Sequence, residues 1–363
     1  MSKAVCRIAL VSFVWAAHAA AFDPPNGDYT KSDPHDIRVM AYNNERHFIA
    51  EPSLDDVFAR ILTVIQPDVI CFEEITSDVS DAAIATRLTE LLPLEGGGTW
   101  HVHSGIGGGI HTVIASRFPL PLTRTDTIPA ASTRGVTLAL ADLPDADYDV
   151  DLYLLGVHLK CCGDPGGSED VSRQKSTDAI ANWLGDARGM LRPLDVIELP
   201  PNTPMLALGD FNMVGGPQPE QTLITGDIQD EATYGPDVAG DWDGSTMLDV
   251  TPADPFTGDT FTWQGDGTFP PGRLDRFFLT DSTATVVHKF ILNSNTMSPA
   301  ALAGTGLQSD DTLPTRASDH LPLVMDLRPG VAPDVPTSND YGLAAMACLI
   351  VVLGGLMIRG HLP

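Results

Sequence analysis

Short apolar runs alternate with segments whose apolar residues recur at helical spacing, and this alternation predicts strands and helices in turn. Residues 37–42 form a β-rich run. Ser53 then offers an N-cap to a segment in which Val57 and Ile61 recur at helical spacing, until Pro67 ends the helix. Residues 68–72 are an almost continuous apolar run, which is typical of a strand covered on both faces.

The rest of the chain predicts many strands and few helices. Ile84, Leu88 and Leu91 indicate a second helix, and residues 169–187 are helix-like. The segment 213–272 is rich in Asp, Gly, Thr and Pro and is interpreted as long loops. Further strands are predicted at residues 112–115, 136–141, 152–157, 205–208, 276–279, 285–292 and 323–327. This pattern predicts a two-layer β core flanked by helices in one domain.

Both ends of the chain are expected to lie outside that domain. Residues 1–21 have the order of a secretory signal peptide: basic residues, an apolar run, then small residues. Residues 329–341 read as a linker, and residues 342–358 form a charge-free stretch that would span roughly 26 Å as a helix. The stretch favours a membrane helix over a buried core helix. We therefore expect an exported protein held at the cell envelope by its C-terminal helix, unless the tail is processed.

The C-terminal tail can also be interpreted as a sorting signal. Residues 335–342, Val-Pro-Thr-Ser-Asn-Asp-Tyr-Gly, precede the apolar stretch, and Arg359 follows it. This arrangement resembles the IPTL-CTERM sorting tails of bacterial exported proteins. It has one arginine where a basic cluster is typical, and the positive-inside tendency would leave the domain outside the cytoplasm.

The charge balance limits the classes of partner. The 363 residues include 48 acidic and 21 basic side chains, so the net charge is −27. This excess of acidic residues disfavours a function in which many Lys and Arg side chains bind the nucleic-acid backbone. A local basic stripe around Arg117, Arg134, Lys160 and Arg173 would still provide a track for a polynucleotide. No protein partner is evident.

The cysteines do not predict a disulfide framework. Two of the five lie in the hydrophobic ends, and the remaining three cannot all pair. Cys71 in an apolar strand is interpreted as a buried thiol. Cys161 and Cys162 follow a strand in a loop. A zinc site with His158 is disfavoured because adjacent cysteines rarely present both sulfurs to one tetrahedral ion.

Polar side chains follow directly on five apolar runs. Ligands commonly bind where strands end, because the sheet holds the side chains while the loops vary. Carboxylate, amide and imidazole groups are the side chains that bind a hard divalent cation and carry out acid–base chemistry. The five groups are Asn43 and Asn44; Glu73 and Glu74; His158; Asp210 and Asn212; and Asp319 and His320.

The sequence motifs at these strand ends resemble those of a known protein family. The motifs, in chain order, are residues 37–43 (IRVMAYN), 67–74 (PDVICFEE), 116–119 (SRFP), 157–159 (VHL), 209–212 (GDFN), 272–275 (GRLD) and 318–322 (SDHLP). Together they are similar to the endonuclease/exonuclease/phosphatase superfamily, over residues 36–328. The resemblance implies a DNase I-like four-layer α/β sandwich, in which two packed, mainly antiparallel sheets are flanked by helices. It places the site at one edge of the paired sheets.

The resemblance also implies a metal site. Glu74 matches the family's metal-binding glutamate, Asn43 matches the asparagine that supports metal and phosphate, and Asp319 lies near the metal. The implied cofactor is Mg²⁺ or Mn²⁺. Glu73 stands where the family most often has glutamine. The change either strengthens ion binding through added negative charge or is a harmless exchange behind the ligands.

Five further residues receive catalytic roles from the resemblance. Asp210 and Asn212 match the pair that positions the attacking water, and period-two geometry would point both to one face. Asp275 matches the aspartate that orients His320, while His158 matches a general acid or charge-stabilising histidine. Either Asp210 or His320 can be the base.

Four other residues are interpreted as structural or surface positions. Arg173 falls where the family often has an arginine and is expected to be structural. His111, beside a glycine-rich stretch, is expected in a surface loop rather than in the site. Asp241 and Asp243 favour an Asx turn over a calcium site.

These observations predict a metal-dependent hydrolase that cleaves phosphodiester bonds, with a nuclease as the first hypothesis. A phospholipid or sphingomyelin phosphodiesterase, or a phosphomonoesterase, is the alternative, and the lipid enzyme would need an exposed aromatic or aliphatic hairpin. A membrane-anchored binding module on an inactive scaffold is disfavoured by the complete set of ligands and acid–base residues.

Overall fold

A computed structural model describes residues 22–127, 135–194 and 197–330. The proposed signal peptide, the C-terminal stretch and nearly all of the linker lie outside these residues, as does Arg134. The strands are β1 (Ile37–Asn43), β2 (Val69–Thr76), β3 (His101–Ser104), β4 (Ile110–Ser116), β5 (Leu122–Thr127), β6 (Gly135–Ala141), β7 (Leu152–His158), β8 (Met205–Asp210), β9 (Leu248–Val250), β10 (Asp275–Leu279), β11 (Ala284–Ile291) and β12 (Leu323–Pro329). The helices are α1 (His47–Ala50), α2 (Asp55–Ile65), α3 (Asp81–Leu91), α4 (Ser168–Ala187), α5 (Gln218–Thr225), α6 (Glu231–Tyr234) and α7 (Pro299–Thr305).

The strands form two six-stranded sheets. The first has the order β11-β12-β1-β2-β4-β3 and the second β5-β6-β7-β8-β10-β9. The pairs β1–β2 and β7–β8 are parallel, and the other pairs are antiparallel. The carboxyl ends of the two central parallel pairs therefore provide most of the strand ends on which a site can be built.

The two sheets pack face to face between outer layers of helices. Alternate residues of β1 show the layering: Val39 and Ala41 belong to the cluster between the sheets, whereas Met40 and Tyr42 pack against the helices outside. Helices α2 and α3 cover the first sheet, and α4 covers the second. Because the central strands are buried on both faces, their sequences are continuous apolar runs. The four-layer sandwich expected from the sequence is confirmed.

Each long apolar run identified in the sequence is a strand, and each helical pattern is a helix. The edge strands β3, β5 and β9 were missed because half or more of their side chains are exposed or polar. The N-cap assigned to Ser53 is wrong: residues 52–54 form a 3-10 turn, and α2 begins at Asp55 without a side-chain cap. The segment 213–272 is not all loop, since it contains α5, α6 and β9.

None of the helices in the described residues is both long enough and apolar enough to cross a membrane.

Candidate active site

Strand register brings three predicted site residues side by side. His158 at the end of β7 pairs with Asp210 at the end of β8, and Asp210 pairs with Asp275 at the start of β10. Residues paired across neighbouring strands have side chains on the same face. That face is the one turned toward the first sheet, because Leu208, two residues before Asp210, packs in the cluster between the sheets. The second sheet therefore contributes a wall of one imidazole and two carboxylates.

His320 completes this wall from the other sheet. It lies two residues before β12 begins, in the segment that leads into the strand beside β1. Its Nδ1 lies 2.7 Å from Asp275 Oδ2, and its Nε2 lies 4.0 Å from Asp210 Oδ2. On the opposite side, His158 Nε2 lies 3.4 Å from the same Asp210 oxygen. Asp210 is thus flanked by both histidines, and all four side chains are buried.

Asn43 links the first sheet to Asp210. Its amide Nδ2 donates to Asp210 Oδ2 at 3.2 Å, and its Oδ1 accepts the Glu45 amide at 3.1 Å. A side-chain carbonyl has two lone pairs, so Asn43 Oδ1 retains capacity for one more partner. The amide therefore orients Asp210 and still offers an oxygen donor.

A β-bulge determines where Glu74 points. The register of β2 against β4 shifts between Phe72 and Ile75, and Glu74 has φ +61°. A bulge inserts one extra residue and re-aims its side chain. Here Ile75 stays on the outer, helix-packed face, while Glu74 is the extra residue. Its Oε1 lies 4.0 Å from His158 Nε2, and Arg46 Nε lies 3.7 Å from its Oε2. Glu74 therefore faces the same edge as the histidines.

Glu73 pairs with Asn43 across the parallel strands β1 and β2, so it lies on the same, inter-sheet face of the first sheet. It is fully buried, and among the described residues neither carboxylate oxygen has a hydrogen-bond partner. Burial, with Asp275 as the next cause, raises its pKa well above the ordinary value. The carboxyl of Glu73 therefore holds its proton more tightly than an exposed glutamate does.

Asn212 joins the site in a different way from the one predicted. Strand β8 ends at Asp210, and Asn212 has φ +50°, so the period-two argument does not apply and was wrong. The Asn212 backbone amide donates to Asp210 Oδ1 at 3.0 Å, and its side-chain Nδ2 donates to Leu159 O at 3.4 Å. Asn212 thus fixes the Asp210 carboxylate and the loop after β7.

Asp319 lies on the rim of the site. It is half-buried, and its Oδ2 accepts a hydrogen bond from Trp263 Nε1 at 2.9 Å. Its backbone amide donates to Glu45 Oε2 at 3.3 Å. Burial and the charges of Asp319 and Glu74 raise the pKa of Glu45. Three carboxylates, those of Glu45, Glu74 and Asp319, therefore repel one another along this rim.

The buried centre is also electrostatically perturbed. Burial raises the pKa of Asp210 to about 7, and the charge of Asp275 adds to the effect, while His320 and the Asn43 hydrogen bond oppose it. Burial disfavours the charged form of His320, but the charge and hydrogen bond of Asp275 outweigh it and raise the His320 pKa to about 10. Strongly perturbed titratable groups in one cleft are typical of an active site.

The donor chemistry fits a divalent cation. An excess of carboxylates over cationic side chains at one edge is relieved when such an ion binds, and Mg²⁺ or Mn²⁺ prefers oxygen ligands. Glu74 and Asn43 offer such oxygens at this edge, whereas one Asp319 oxygen already accepts a hydrogen bond from Trp263. The structure also brings ligand atoms of Asp210, Asp275 and His320 within 4.8 Å of one another. An imidazole suits Mg²⁺ poorly, so an Mg²⁺ ion would favour the carboxylate oxygens of this group over His320.

Several predicted positions lie elsewhere. Arg173 is buried and donates to the Lys160 and Cys162 carbonyls, so its structural role is confirmed. Of the proposed basic stripe, Arg173 is not available to a ligand, and Arg117 pairs at 2.6 Å with Asp68, before the start of β2 and away from the Glu74 end. Lys160 is exposed, and Arg134 lies outside the described residues.

Two further predictions outside the site can be compared with the structure. His111 lies in β4 rather than in a surface loop. Asp243 Oδ1 accepts the Ser245 amide at 2.8 Å, which confirms the Asx turn, while Asp241 accepts from the Ser282 amide.

Sequence reasoning missed Glu45 and Trp263. Glu45 directly follows Asn43 and Asn44 at a strand end, which was the available signal. Trp263 lies in the segment interpreted as loop, and it forms an isolated bridge with His320 that nothing in the local sequence indicates.

Comparisons with known proteins agree with this architecture. A protein described as endonuclease/exonuclease/phosphatase from Beutenbergia cavernae has 20% identity and a TM-score of 0.50, and the match covers 83% of this chain and 73% of that one. TDP2 from C. elegans has 13% identity and a TM-score of 0.50, with 86% and 82% of the two chains covered. These likenesses support the fold. No curated protein shows a significant sequence match.

The family profile is more specific than the structural likenesses. The Endonuclease/Exonuclease/phosphatase family matches residues 46–320, which include every candidate site residue except Asn43, Asn44 and Glu45. Members of this family are metal-dependent hydrolases of phosphate esters. The chain belongs to the Endonuclease/Exonuclease/phosphatase family.

Proposed function

We propose that the protein hydrolyses phosphodiester bonds with the help of Mg²⁺ or Mn²⁺, and that its substrate is a nucleic acid. The observation that carries the proposal is the position of Asp210 between two histidines, 3.4 Å from His158 and 4.0 Å from His320. A phosphodiester hydrolase must hold water, neutralise an anionic phosphate and protonate a leaving oxygen. The two histidines and the carboxylate between them suit these three tasks.

Each residue has a role that follows from its contacts. Asp210, oriented by Asn43 and by the Asn212 backbone amide, holds the attacking water. His320 is fixed by Asp275 and faces the phosphate with its Nε2, where its positive charge stabilises negative oxygens. Asp210, or His320 in its neutral form, takes the proton of the water. His158, on the other side of Asp210, donates a proton to the leaving oxygen.

The cation would be held by Glu74 and Asn43, with Asp319 near it. When bound, it supplies positive charge that polarises the phosphate. The bulge at Glu74 keeps that carboxylate at the open edge, so the ion and the two histidines share one substrate position.

A substrate panel tests the proposal directly. The full chain is assayed on plasmid DNA, RNA, sphingomyelin, inositol phosphates and bis-p-nitrophenyl phosphate, each with Mg²⁺, Mn²⁺, Ca²⁺ or chelator. We expect cleavage of DNA or RNA that chelator abolishes and that Asp210→Asn reduces by orders of magnitude. Hydrolysis that persists in chelator would refute the metal assignment, and no cleavage of either nucleic acid would refute the nuclease.

One observation favours a lipid substrate as the second candidate. Trp263 and Gly272 form an antiparallel bridge at the base of a loop. Trp263 also forms a bridge with His320. Phe269 near its tip is 64% exposed, and Asp266 Oδ1 accepts the amides of Thr268 and Phe269, which stiffens the tip. An exposed aromatic side chain on a loop anchored at the site suits insertion into a membrane surface.

Phe269→Ala separates the two candidates. If the substrate is a lipid, the variant loses activity on sphingomyelin vesicles and keeps activity on bis-p-nitrophenyl phosphate. Leu191→Ala is the matched control, because Leu191 is a fully exposed apolar side chain after α4, outside the site. Equal vesicle activity of Phe269→Ala and wild type would refute the lipid role of the loop.

Export and anchoring are the second part of the proposal, and the sequence alone supports them. Residues 1–21 would direct export, and residues 342–358 would hold the domain at the cell envelope. Deletion of residues 331–363 should release active protein from the membrane fraction. Release of the full-length protein by high salt alone would contradict a membrane-spanning anchor.

A further inference from the structure

Cys161 and Cys162 are adjacent thiols on the loop that follows β7. Both are free; Cys161 is half-buried and Cys162 is exposed. Cys71, in contrast, is fully buried between the sheets. Among the cysteines that the structure describes, the adjacent pair is therefore the one that a soluble reagent can reach.

The backbone at this pair is held in an unusual conformation. Cys162 has φ +69°, and the following Gly163 has φ +80°. A left-handed conformation is uncommon for a residue with a β-carbon and costs free energy, so surrounding contacts must enforce it. Arg173 provides them, since its Nη1 donates to Lys160 O and to Cys162 O at 2.8 Å each. The Arg173 side chain therefore holds the backbone of the cysteine pair in this conformation.

The same loop is attached to the active site. The Leu159 amide donates to Asp210 O at 2.9 Å, and Asn212 Nδ2 donates to Leu159 O at 3.4 Å. Arg173 also donates to Val214 O, in the loop that follows Asn212. A change of backbone conformation at the two cysteines therefore reaches Asp210 and Asn212 through a few hydrogen bonds.

The chain geometry determines what kind of disulfide the pair can form. Adjacent Cα atoms lie about 3.8 Å apart across a trans peptide, whereas disulfides usually join Cα atoms roughly 4.4–6.8 Å apart. A disulfide between neighbours is therefore strained, and strained, exposed disulfides are readily reduced. Such a bond suits a reversible modification and not a structural crosslink.

We propose that Cys161 and Cys162 are a redox-modification site that low-molecular-weight disulfides convert to a vicinal disulfide, and that the oxidised enzyme is less active. The Cys162 thiolate attacks one sulfur of the oxidant, so a mixed disulfide forms and one thiolate leaves. The Cys161 thiolate then attacks Cys162 Sγ and displaces the second thiolate. The pair loses two electrons and two protons, and the oxidant becomes two thiols. The effect on activity rests on the proposed phosphodiesterase function, whereas the thiol chemistry does not.

Peptide mapping tests the thiol chemistry without any assay of activity. Trypsin cleaves after Lys160 and after Arg173, so peptide 161–173 contains both cysteines and no other. The full chain is treated with oxidised glutathione, alkylated with iodoacetamide, digested and weighed. We expect this peptide to be two hydrogens lighter than the dithiol, without an alkyl group, and to return to the dialkylated form after mild reduction. A peptide that stays fully alkylated, or one that retains glutathione at equilibrium, would overturn the proposal.

Hydrolysis of bis-p-nitrophenyl phosphate tests the regulatory part. Oxidation should lower turnover of the wild type several-fold, and dithiothreitol should restore it. The variants Cys161→Ser and Cys162→Ser should retain activity and should not respond, while Cys71→Ser should respond like the wild type. Closure of the disulfide without loss of turnover would overturn the regulation. If no phosphodiester is hydrolysed in either redox state, the proposed function fails, and the peptide measurement still decides the redox site.

Discussion

The substitution Asp275→Asn tests whether the pair with His320 is essential to the reaction. Asp275 Oδ2 lies 2.7 Å from His320 Nδ1, and both side chains are buried. Asparagine preserves the size and shape of the side chain, so the fold is expected to survive. It removes the negative charge, and its amide can turn a donor instead of an acceptor toward the imidazole.

The size of the effect follows from the kind of interaction that is lost. A hydrogen bond to a charged group contributes about 1.5–3 kcal/mol, and about 1.4 kcal/mol corresponds to a factor of ten. If that interaction orients His320 in the transition state, kcat/KM falls about 10- to 100-fold. His320→Ala, which removes the imidazole itself, should cost more with every substrate.

The pKa of His320 provides a second readout of the same substitution. Burial lowers the pKa of His320, but the charge and hydrogen bond of Asp275 outweigh this effect and hold the pKa at about 10, above the ordinary 6.5. Loss of the carboxylate should therefore lower the pKa, which NMR of the histidine ring protons measures. Because the folded-state pKa is raised, the pair stabilises the wild type fully below about pH 6.5, and the contribution disappears as pH rises through about 10. Urea unfolding should show this decline in the wild type and not in Asp275→Asn.

A matched control separates the site from general effects on the fold. Asp178→Asn changes another buried aspartate, on α4, whose carboxylate accepts from Gln174 and from the Gln229 and Asp230 amides. It should leave kcat/KM unchanged. Wild-type kcat/KM in Asp275→Asn, or an equal loss in both variants, would refute the role of the pair.

The remaining predictions concern three residues near the same edge. Glu74→Gln should abolish most activity and weaken Mg²⁺ binding measured by calorimetry, because it removes the charged oxygen donor at the bulge; unchanged Mg²⁺ affinity would contradict the assignment. His158→Ala should reduce hydrolysis of alkyl phosphodiesters far more than that of a nitrophenyl diester, whose leaving oxygen needs no proton, and equal losses would exclude a general acid. Glu73→Gln should raise the free energy of unfolding, more at about pH 8 than at about pH 5, because the buried carboxyl has a raised pKa in the folded protein. A stability gain that does not grow with pH would show that Glu73 is not the responsible group.

The central strands could be predicted because burial on both faces leaves an unbroken apolar run in the sequence. Residues 68–72 and 205–208 show this directly, and both are strands in the structure. Edge strands such as β3 lack the signal, since one side is open to solvent and exposed side chains such as His101 are tolerated there. The same limit applies to helix ends: Ser53 has the residue type of an N-cap, but a 3-10 turn occupies that position.

The residues of the candidate site were predicted one by one from short sequence motifs. Their arrangement in space could not be predicted from the sequence. Asp210 and Asn212 have the spacing of residues on one strand face, yet the strand ends at Asp210 and a left-handed residue follows. The basic stripe shows a related limit: Arg117 and Arg173 are cations in the sequence, but in the fold Arg117 pairs with the buried Asp68 and Arg173 donates to a backbone carbonyl.

The sequence by itself determined the layered architecture, the order of the polar residues at the strand ends and the family. These features depend on local apolar patterns and on short motifs. The tertiary structure decided which strand ends meet. Parallel pairing of β7 with β8 and antiparallel pairing of β8 with β10 bring His158, Asp210 and Asp275 into register, although 116 residues of chain lie between the first and the last. It also decided that Glu74 faces the site while its neighbour Glu73 is buried, because a bulge one residue long reverses the alternation of side chains at that point.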